Sequence, residues 1–410
     1  MTTESELPSS RKIAMVVLLA ALGNFVDIYD LILFSLVRVQ SLTSIGVPPE
    51  KLLDTGLKLI NMQMGGMLLG GILWGVMGDK KGRLSVLLGS IALYSLANIA
   101  NGFVNSVPAY AALRFISGVG LAGELGAGIT LVSELMSKEA RGYGTMLVAG
   151  LGLAGAIAAG LVGNRFGWRN AYFVGGFMGL ALLLLRIGIC ESVMFNKIKD
   201  TTARRGNFFM LFSPGKRLLK YLYCIVLGMP TWFIIGILMT FAPEFGKALA
   251  MPVLPTATNA VMIFYATCTI GNLANGTLSQ LMKSRRKAIL IFFAVAAALC
   301  VAYFNLRGAS LFSFYAVCAG LGFFAAYWAV LLTMAAEQFG TNIRATVSTT
   351  VPNFVRSSLV LVSWGFQALK PGFGILTAAS IVGAAVFALA LFSLSGLGET
   401  YGKDLDYVEA

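Results

Sequence analysis

Long apolar runs separated by short polar connections repeat from one end of this 410-residue chain to the other. Runs of the length that crosses a hydrocarbon core of about 30 Å as a helix fall at 13–37, 57–77, 84–104, 108–133, 143–164, 170–190, 218–242, 256–282, 288–306, 310–335, 346–368 and 372–396. They predict an all-α membrane protein with twelve transmembrane helices. The first run is too long, and its start too weakly charged, for a cleaved signal peptide, and no small-residue cleavage site follows it.

The longest polar connection, from Glu191 to Lys220, is basic, carries Pro214-Gly215 and divides the spans into two sets of six. The expected organisation is a six-helix bundle at 1–192, a cytoplasmic linker at 193–217, a second bundle at 218–397 and a cytoplasmic tail at 398–410. One phrase occurs in both halves. Glu134-Leu-Met-Ser-Lys-Glu-Ala-Arg141 closes the fourth span of the first, and Glu337-Gln-Phe-Gly-Thr-Asn-Ile-Arg344 closes the fourth span of the second. A Glu and an Arg seven residues apart are common in any loop; their shared position in the two halves is what marks a duplicated unit. Such units of membrane spans build many secondary transporters.

Composition agrees with the pattern. The chain is 57% hydrophobic and only 12% charged, which excludes a soluble globule. The net charge of +13 is spread over alternate connections, at Lys80, Lys81, Arg83, Lys138, Arg141, Arg204, Arg205, Arg285, Arg286 and Arg344 among others. The positive-inside rule makes that side, and both termini, cytoplasmic, so the charge describes topology in a cell (inner) membrane and not a nucleic-acid footprint. Five scattered cysteines and no histidine leave no support for a disulfide framework, a metal site or a cofactor attachment. Proton chemistry then falls to carboxylates. No nucleophile–base pair or soluble domain points to an enzyme.

Glycines concentrate within spans, where they let helices approach closely. Gly118-Val-Gly120-Leu-Ala-Gly123 spells a dinucleotide fingerprint, but it lies inside span four without the strand and soluble helix that the motif requires. Close packing is the better account.

The connection after span two reads Gly75-Val-Met-Gly78-Asp79-Lys80-Lys81-Gly82-Arg83. Its glycines permit a tight turn, and Asp79 can pair with Arg83 or a neighbouring helix end. A degenerate partner, Gly276 to Arg286, has Gln280 in place of the acid. Arg186-Ile-Gly-Ile-Cys-Glu191 ends span six, and Gly398-Glu399-Thr400-Tyr-Gly402 follows span twelve. Together these pieces resemble the major facilitator superfamily over essentially the whole chain. The resemblance implies two pseudo-symmetric bundles rocking around a central site, the major facilitator fold. It also implies that Gly75, Asp79, Gly82, Arg83, Glu134, Arg141, Glu191, Glu337 and Arg344 act as cytoplasmic gating motifs.

Ionisable groups within spans are costly and therefore candidates for function. Asn24, Asp27 and Asp30 recur every three residues and share one side of span one. Arg114 and Glu124 lie in span four, about 15 Å apart along its axis. Arg356 lies about 18 Å from Arg344 along span eleven, near the midplane. Asp27, Asp30 and Glu124 are the candidate proton carriers, with Arg114 tuning them or held in a fixed ion pair. A guanidinium at that depth seeks an anion: a carboxylate of the cargo, or an acid of span one or four. Asp27-Ile-Tyr29-Asp30 and Arg356 resemble residues of aromatic-acid and metabolite proton symporters and of organic-ion transporters, where the arginine is tied to anion recognition. Gly340 and Pro352, which interrupts span eleven, depart from that pattern. Tyr29, Trp232, Tyr265, Tyr327 and Asn353 are softer candidates for lining a cargo site, each also open to a plain packing role.

The resulting expectation is a monomeric secondary transporter in a lipid bilayer that carries a small organic anion together with protons. Two alternatives stay open: a symporter of a zwitterionic or cationic metabolite, whose cargo the span-one acids would bind, and a transport-inactive membrane sensor.

Overall fold

A computed structural model describes residues 10–81, 83–124, 141–193 and 215–402. Among them the regular structure is helical. The first half contains α1 (Ser10–Ser44), α2 (Leu52–Lys81), α3 (Arg83–Asn101), α4 (Val107–Leu121), α5 (Arg141–Phe166) and α6 (Trp168–Val193). The second contains α7 (Gly215–Phe233), α8 (Ala242–Ala248), α9 (Ala257–Leu281), α10 (Arg285–Phe304), α11 (Leu311–Phe324), α12 (Trp328–Glu337), α13 (Thr341–Ser357) and α14 (Leu359–Gly396). Most of the predicted linker, and the lower part of span four with Glu134, lie outside the described residues.

The apolar runs become helices at nearly their predicted positions, with informative differences. The first, second and fifth runs extend past the apolar stretch into polar sequence. Span seven ends in a wide π-helical turn, Ile234–Met239. Span ten is interrupted between α11 and α12. Pro352 does not end span eleven; α13 continues through it to Ser357. The real break comes at Gly374, whose φ of 74° and ψ of 173° suit only a residue without Cβ. The stretch Thr346–Gly396 is 51 residues long, more than twice what one crossing needs. It therefore crosses twice, with Gly374 near the turn between spans eleven and twelve.

Within the first half α1 packs on α5, α2 on α4, and α3 on α4 and α6; within the second, α9 packs on α11, and α7 on α14. The halves meet where α2 faces α13 and α14, and where α5 and α1 face α9. Glycine sets the closest approaches. A Cβ on Gly120 would lie 2.6 Å from the Tyr94 nitrogen, and one on Gly123 2.6 Å from the Ser90 Cβ. The fingerprint-like glycines are a packing seam.

At the face opposite the termini two ion pairs join the halves. Arg38, at the end of α1, is fully buried and binds both carboxylate oxygens of Glu244 on α8 at 2.7 Å. It also donates to the carbonyls of Leu52 and Thr240, and its guanidinium lies 4.4 Å from the Phe241 ring centre. Gly56 makes the room, since a Cβ there would stand 2.6 Å from the Arg38 Cδ. Lys370 pairs with Asp54 in a more exposed setting.

At the terminal face the second half is stitched to its own tail. Glu337 accepts from Arg285 at 3.3 Å and from the Thr400 hydroxyl at 2.6 Å. Arg344 donates to the carbonyls of Ala336 and Phe339, capping α12. Burial would push the Glu399 carboxyl up. Hydrogen bonds from the Ser284 hydroxyl and the N–H groups of Tyr401, Arg285 and Thr400 outweigh it and hold the pKa at about 2.

Removing one partner of a buried ion pair strands the other charge. Glu244→Ala should therefore lower stability by about 3 kcal/mol, read as a fall in melting temperature in detergent. An unchanged melting temperature would mean that the pair contributes nothing to joining the halves. A depressed carboxyl pKa adds stability above its ordinary value, which is lost as pH falls through the folded one. The melting temperature of Glu399→Gln should thus fall short of the parent at pH 6 and approach it towards pH 2, as followed in a pH series.

Candidate functional site

The side chains predicted from span one do share a side of α1, but they diverge to three partners. Successive members three residues apart are turned by about 60° relative to each other on a helix with 3.6 residues per turn. Asn24 donates to the Val148 carbonyl of α5 at 2.9 Å. Asp27 crosses to the second half. Asp30 turns into the first bundle.

Asp27 and Arg356 form the ion pair at the centre of the molecule. Both are buried. Arg356 Nη1 and Nη2 approach the same oxygen, Asp27 Oδ2, at 3.5 and 3.4 Å. Asp27 Oδ1 and Arg356 Nε have no hydrogen-bond partner. A guanidinium and a carboxylate can make two parallel bonds near 2.8 Å; this pair makes neither. Tyr265 lies within electrostatic reach of both residues. Arg356 therefore faces a protein acid, the second of the two partners open to it by sequence, through a contact that leaves hydrogen-bonding capacity unused on both sides.

Asp30 is fully buried with neither oxygen hydrogen-bonded. Its charge is balanced by nearby Arg114, with Asn98 alongside, and one oxygen packs where Gly175 of α6 has no side chain. Arg114 is held mostly by neutral groups: Asn98 Oδ1 at 2.9 Å, Gln63 Oε1 at 3.3 Å and Ser117 Oγ at 3.4 Å. Its guanidinium sits 5.0 Å from the Tyr172 ring centre.

Glu124 is placed differently from the two aspartates. It forms a two-pronged ion pair with Arg186 of α6, at 2.6 and 2.9 Å. The pair lies against α1 at Gly23, where any side chain would collide with both partners. Span four breaks just before it, because the Gly123 N–H turns back to the Gly120 carbonyl. The Val119 carbonyl accepts instead from Trp74 Nε1 at 2.6 Å, and the Ala122 carbonyl accepts from Asn353 across the halves at 2.8 Å.

The softer candidates divide. The Tyr29 hydroxyl donates to the Ala171 carbonyl and the Tyr327 hydroxyl to the Leu227 carbonyl, each bracing two helices. Asn353 ties α13 to span four. Trp232 is buried with its indole N–H unpartnered. Among the residues expected to form gating motifs, Gly75 has open space around it, and Glu337 and Arg344 stand at the terminal face. The side chains of Asp79, Arg83, Glu134, Arg141 and Glu191, and Gly82 itself, lie outside the described residues.

Sequence reasoning passed over Arg38 and Glu244, which stand just past the ends of their apolar runs, and read Arg186 only as part of a motif. It also passed over the face Tyr94, Ser95, Asn98 and Asn101 of α3. Its near-helical spacing was the available signal.

The sequence model of the Major Facilitator Superfamily matches residues 16–363. A putative niacin/nicotinamide transporter of Bacillus subtilis (strain 168) is 27% identical over 82% of this chain and 84% of its own length. The 3-(3-hydroxy-phenyl)propionate transporter of Escherichia coli (strain K12) is 28% identical over 82% of this chain and 85% of its own. Among solved structures, the E. coli proton:xylose symporter XylE superposes with a TM-score of 0.67, 18% identity and coverage of 97% and 98% of the two chains. That likeness establishes the fold. Twelve spans in two six-helix bundles, the family match and the named relatives lead to one conclusion: this chain is a multi-pass membrane transporter that belongs to the major facilitator superfamily.

Proposed function

We propose that the protein is a proton-coupled symporter of a small organic anion, with Arg356 binding the cargo's carboxylate and the aspartates of span one handling the proton. One observation carries the reading: the loose Asp27–Arg356 contact across the halves, with hydrogen-bonding capacity unused on both sides. An arriving carboxylate can offer Arg356 the two parallel bonds that Asp27 does not make. A proton on Asp27 releases the guanidinium for that exchange. The cycle then couples the two ligands through one switch: proton in, Asp27 neutral, cargo on Arg356. Because Asp27 and Arg356 belong to opposite halves, the exchange also changes what holds the halves together.

The named relatives support the chemistry. Niacin, which the first relative's name pairs with the uncharged nicotinamide, and 3-(3-hydroxyphenyl)propionate are both aromatic carboxylic acids. Trp232 and Tyr265 are the aromatic residues we assign to the cargo's ring, and Tyr29, Tyr327 and Asn353 position the helices around it. Asp30, beside Arg114, is the second proton carrier. Glu124 is a like charge near Asp27 and is locked to Arg186 at two points, which leaves the mobile protons to the two aspartates. The positive-inside rule puts the terminal face in the cytoplasm of a cell whose membrane the protein crosses, so the closed face with Arg38 and Glu244 is the outer one. The bundle 1–192 and the bundle 218–397 move as the two rocking bodies, joined by the linker 193–217, and the protein works as a monomer.

In proteoliposomes under an inward proton gradient, a panel of aromatic and aliphatic acids should include a cargo that accumulates. Arg356→Ala should weaken its binding about 10- to 100-fold, the range for a hydrogen bond to a charged group, measured by equilibrium binding in detergent. Unchanged affinity would remove Arg356 from the site. Asp30→Asn should lower gradient-driven accumulation at least tenfold more than it lowers cargo exchange. Equal losses in the two assays would contradict a role in coupling.

A further inference from the structure

A chain of hydroxyl groups runs inside the first bundle, apart from the interface between the halves. The Ser41 hydroxyl, near the outer end of α1, donates to the Arg38 carbonyl at 3.1 Å. With its proton so committed, it accepts from the Tyr110 hydroxyl at 3.3 Å. Tyr110 and Tyr172 share a 2.7 Å hydrogen bond in which either oxygen can be the donor; since Tyr110 gives its proton to Ser41, Tyr172 is the donor here. All three residues are fully buried. The outer end of the chain lies one turn from Thr43 and Ser44, which are exposed. The inner end lies by Asp30. Tyr172 is stacked under Arg114, and at Gly175, one turn farther along α6 and about 4.5 Å along its axis, a Cβ would stand 2.3 Å from the Asp30 carboxylate.

A second, independent feature occupies that inner end. Both oxygens of Asp30, the Tyr94 and Ser95 hydroxyls, Asn98 Nδ2 and Arg114 Nε are buried and have no hydrogen-bond partner. Orphaned polar atoms are rare, and in folded proteins ordered water commonly satisfies them. Six such atoms on three neighbouring helices make a polar setting in which a water has the two to four partners that it needs.

We propose that Ser41, Tyr110 and Tyr172, continued by water held among Tyr94, Ser95 and Asn98, form a proton relay that connects the outer surface to Asp30 without passing through the cargo pathway. The inference rests on the reading of Asp30 as a proton carrier. A hydronium at the outer end gives its proton to Ser41. Each hydroxyl accepts one proton and passes on its own, and the last one forms an O–H bond on Asp30. Hydronium becomes water, carboxylate becomes carboxyl, and every hydroxyl ends with one proton. Inward passage leaves Tyr172 donating to Tyr110 and Tyr110 to Ser41, which is the order found in the structure, and rotation of the hydroxyls resets the chain. Cargo cannot follow this route. The transporter can therefore load its proton while the Arg38–Glu244 pair keeps the outer face closed.

The test is a pH-jump infrared measurement on the purified full-length protein in detergent, which reads protonation of a buried carboxyl directly and needs no cargo. The carboxyl band absent from Asp30→Asn identifies the group. Tyr110→Phe and Tyr172→Phe, which keep the ring and remove only the hydroxyl, should slow the appearance of that band at least tenfold while leaving its final amplitude unchanged. Ser41→Ala, the smallest packing change, should slow it likewise and serves if a tyrosine variant fails to fold. A packing role would move the amplitude or the melting temperature but not the rate alone. Parent-like rates in the folded variants would overturn the relay and leave Asp30 as a carrier supplied from the central pathway. If Asp30→Asn removes no band, the premise itself fails.

Discussion

Everything in this molecule turns on the cost of putting charge where water is scarce. Asp27 and Arg356 meet between the halves, both buried, and neither can be left alone without a penalty of several kcal/mol. Yet their contact, through one shared oxygen at 3.4–3.5 Å, captures little of what such a pair can gain. A tight buried pair would lock the halves together. No pair at all would be too costly to keep. A loose pair sits between these limits, and the proposed exchange of a proton on one partner and an anion on the other acts on that balance.

The surrounding charges are arranged so that this contact is the soft one. Glu124 and Arg186 bind each other at two points within the first half, in a space that exists because residue 23 is glycine. Arg114 is held by amides and a hydroxyl, leaving its charge to offset Asp30. Arg38 and Glu244 make a short two-point pair across the halves at the face away from the termini. Such a pair must be broken and hydrated for that face to open. Because desolvation offsets much of a buried pair's attraction, it can define a closed state without making it permanent. Among the ion pairs described between the halves, the rim thus holds a tight one, Arg38–Glu244, and the centre a loose one, Asp27–Arg356.

Much of this was legible in the sequence. The apolar runs marked the described helices, although α1 reaches Ser44, well past its run, and the distance from Arg344 along the helix singled out Arg356 as a charge inside a span. Asp27, Asp30 and Arg114 stood out because a charged residue within a span is improbable without a reason. Pairing was not legible. Asp27 and Arg356 are 329 positions apart, and Glu124 and Arg186 are 62 apart; nothing in a helical period indicates which charges will face each other. Helical spacing put Asn24, Asp27 and Asp30 on one side, but their angular spread was enough to send them to three different partners. Arg38 and Glu244 escaped notice for another reason. Each lies beyond an apolar run, where a charge looks like an ordinary helix end, and only the folded chain buries Arg38.

The central claim is that a carboxylate replaces Asp27 at Arg356. An isotope-edited infrared difference spectrum tests it most directly, with nicotinate and 3-(3-hydroxyphenyl)propionate as probes, each carrying a labelled carboxylate. The account predicts a shifted probe carboxylate band that is lost in Arg356→Gln, together with a change in an aspartate band that is lost in Asp27→Asn. A probe that binds without disturbing the Asp27 band, or keeps its shift in Arg356→Gln, would contradict it.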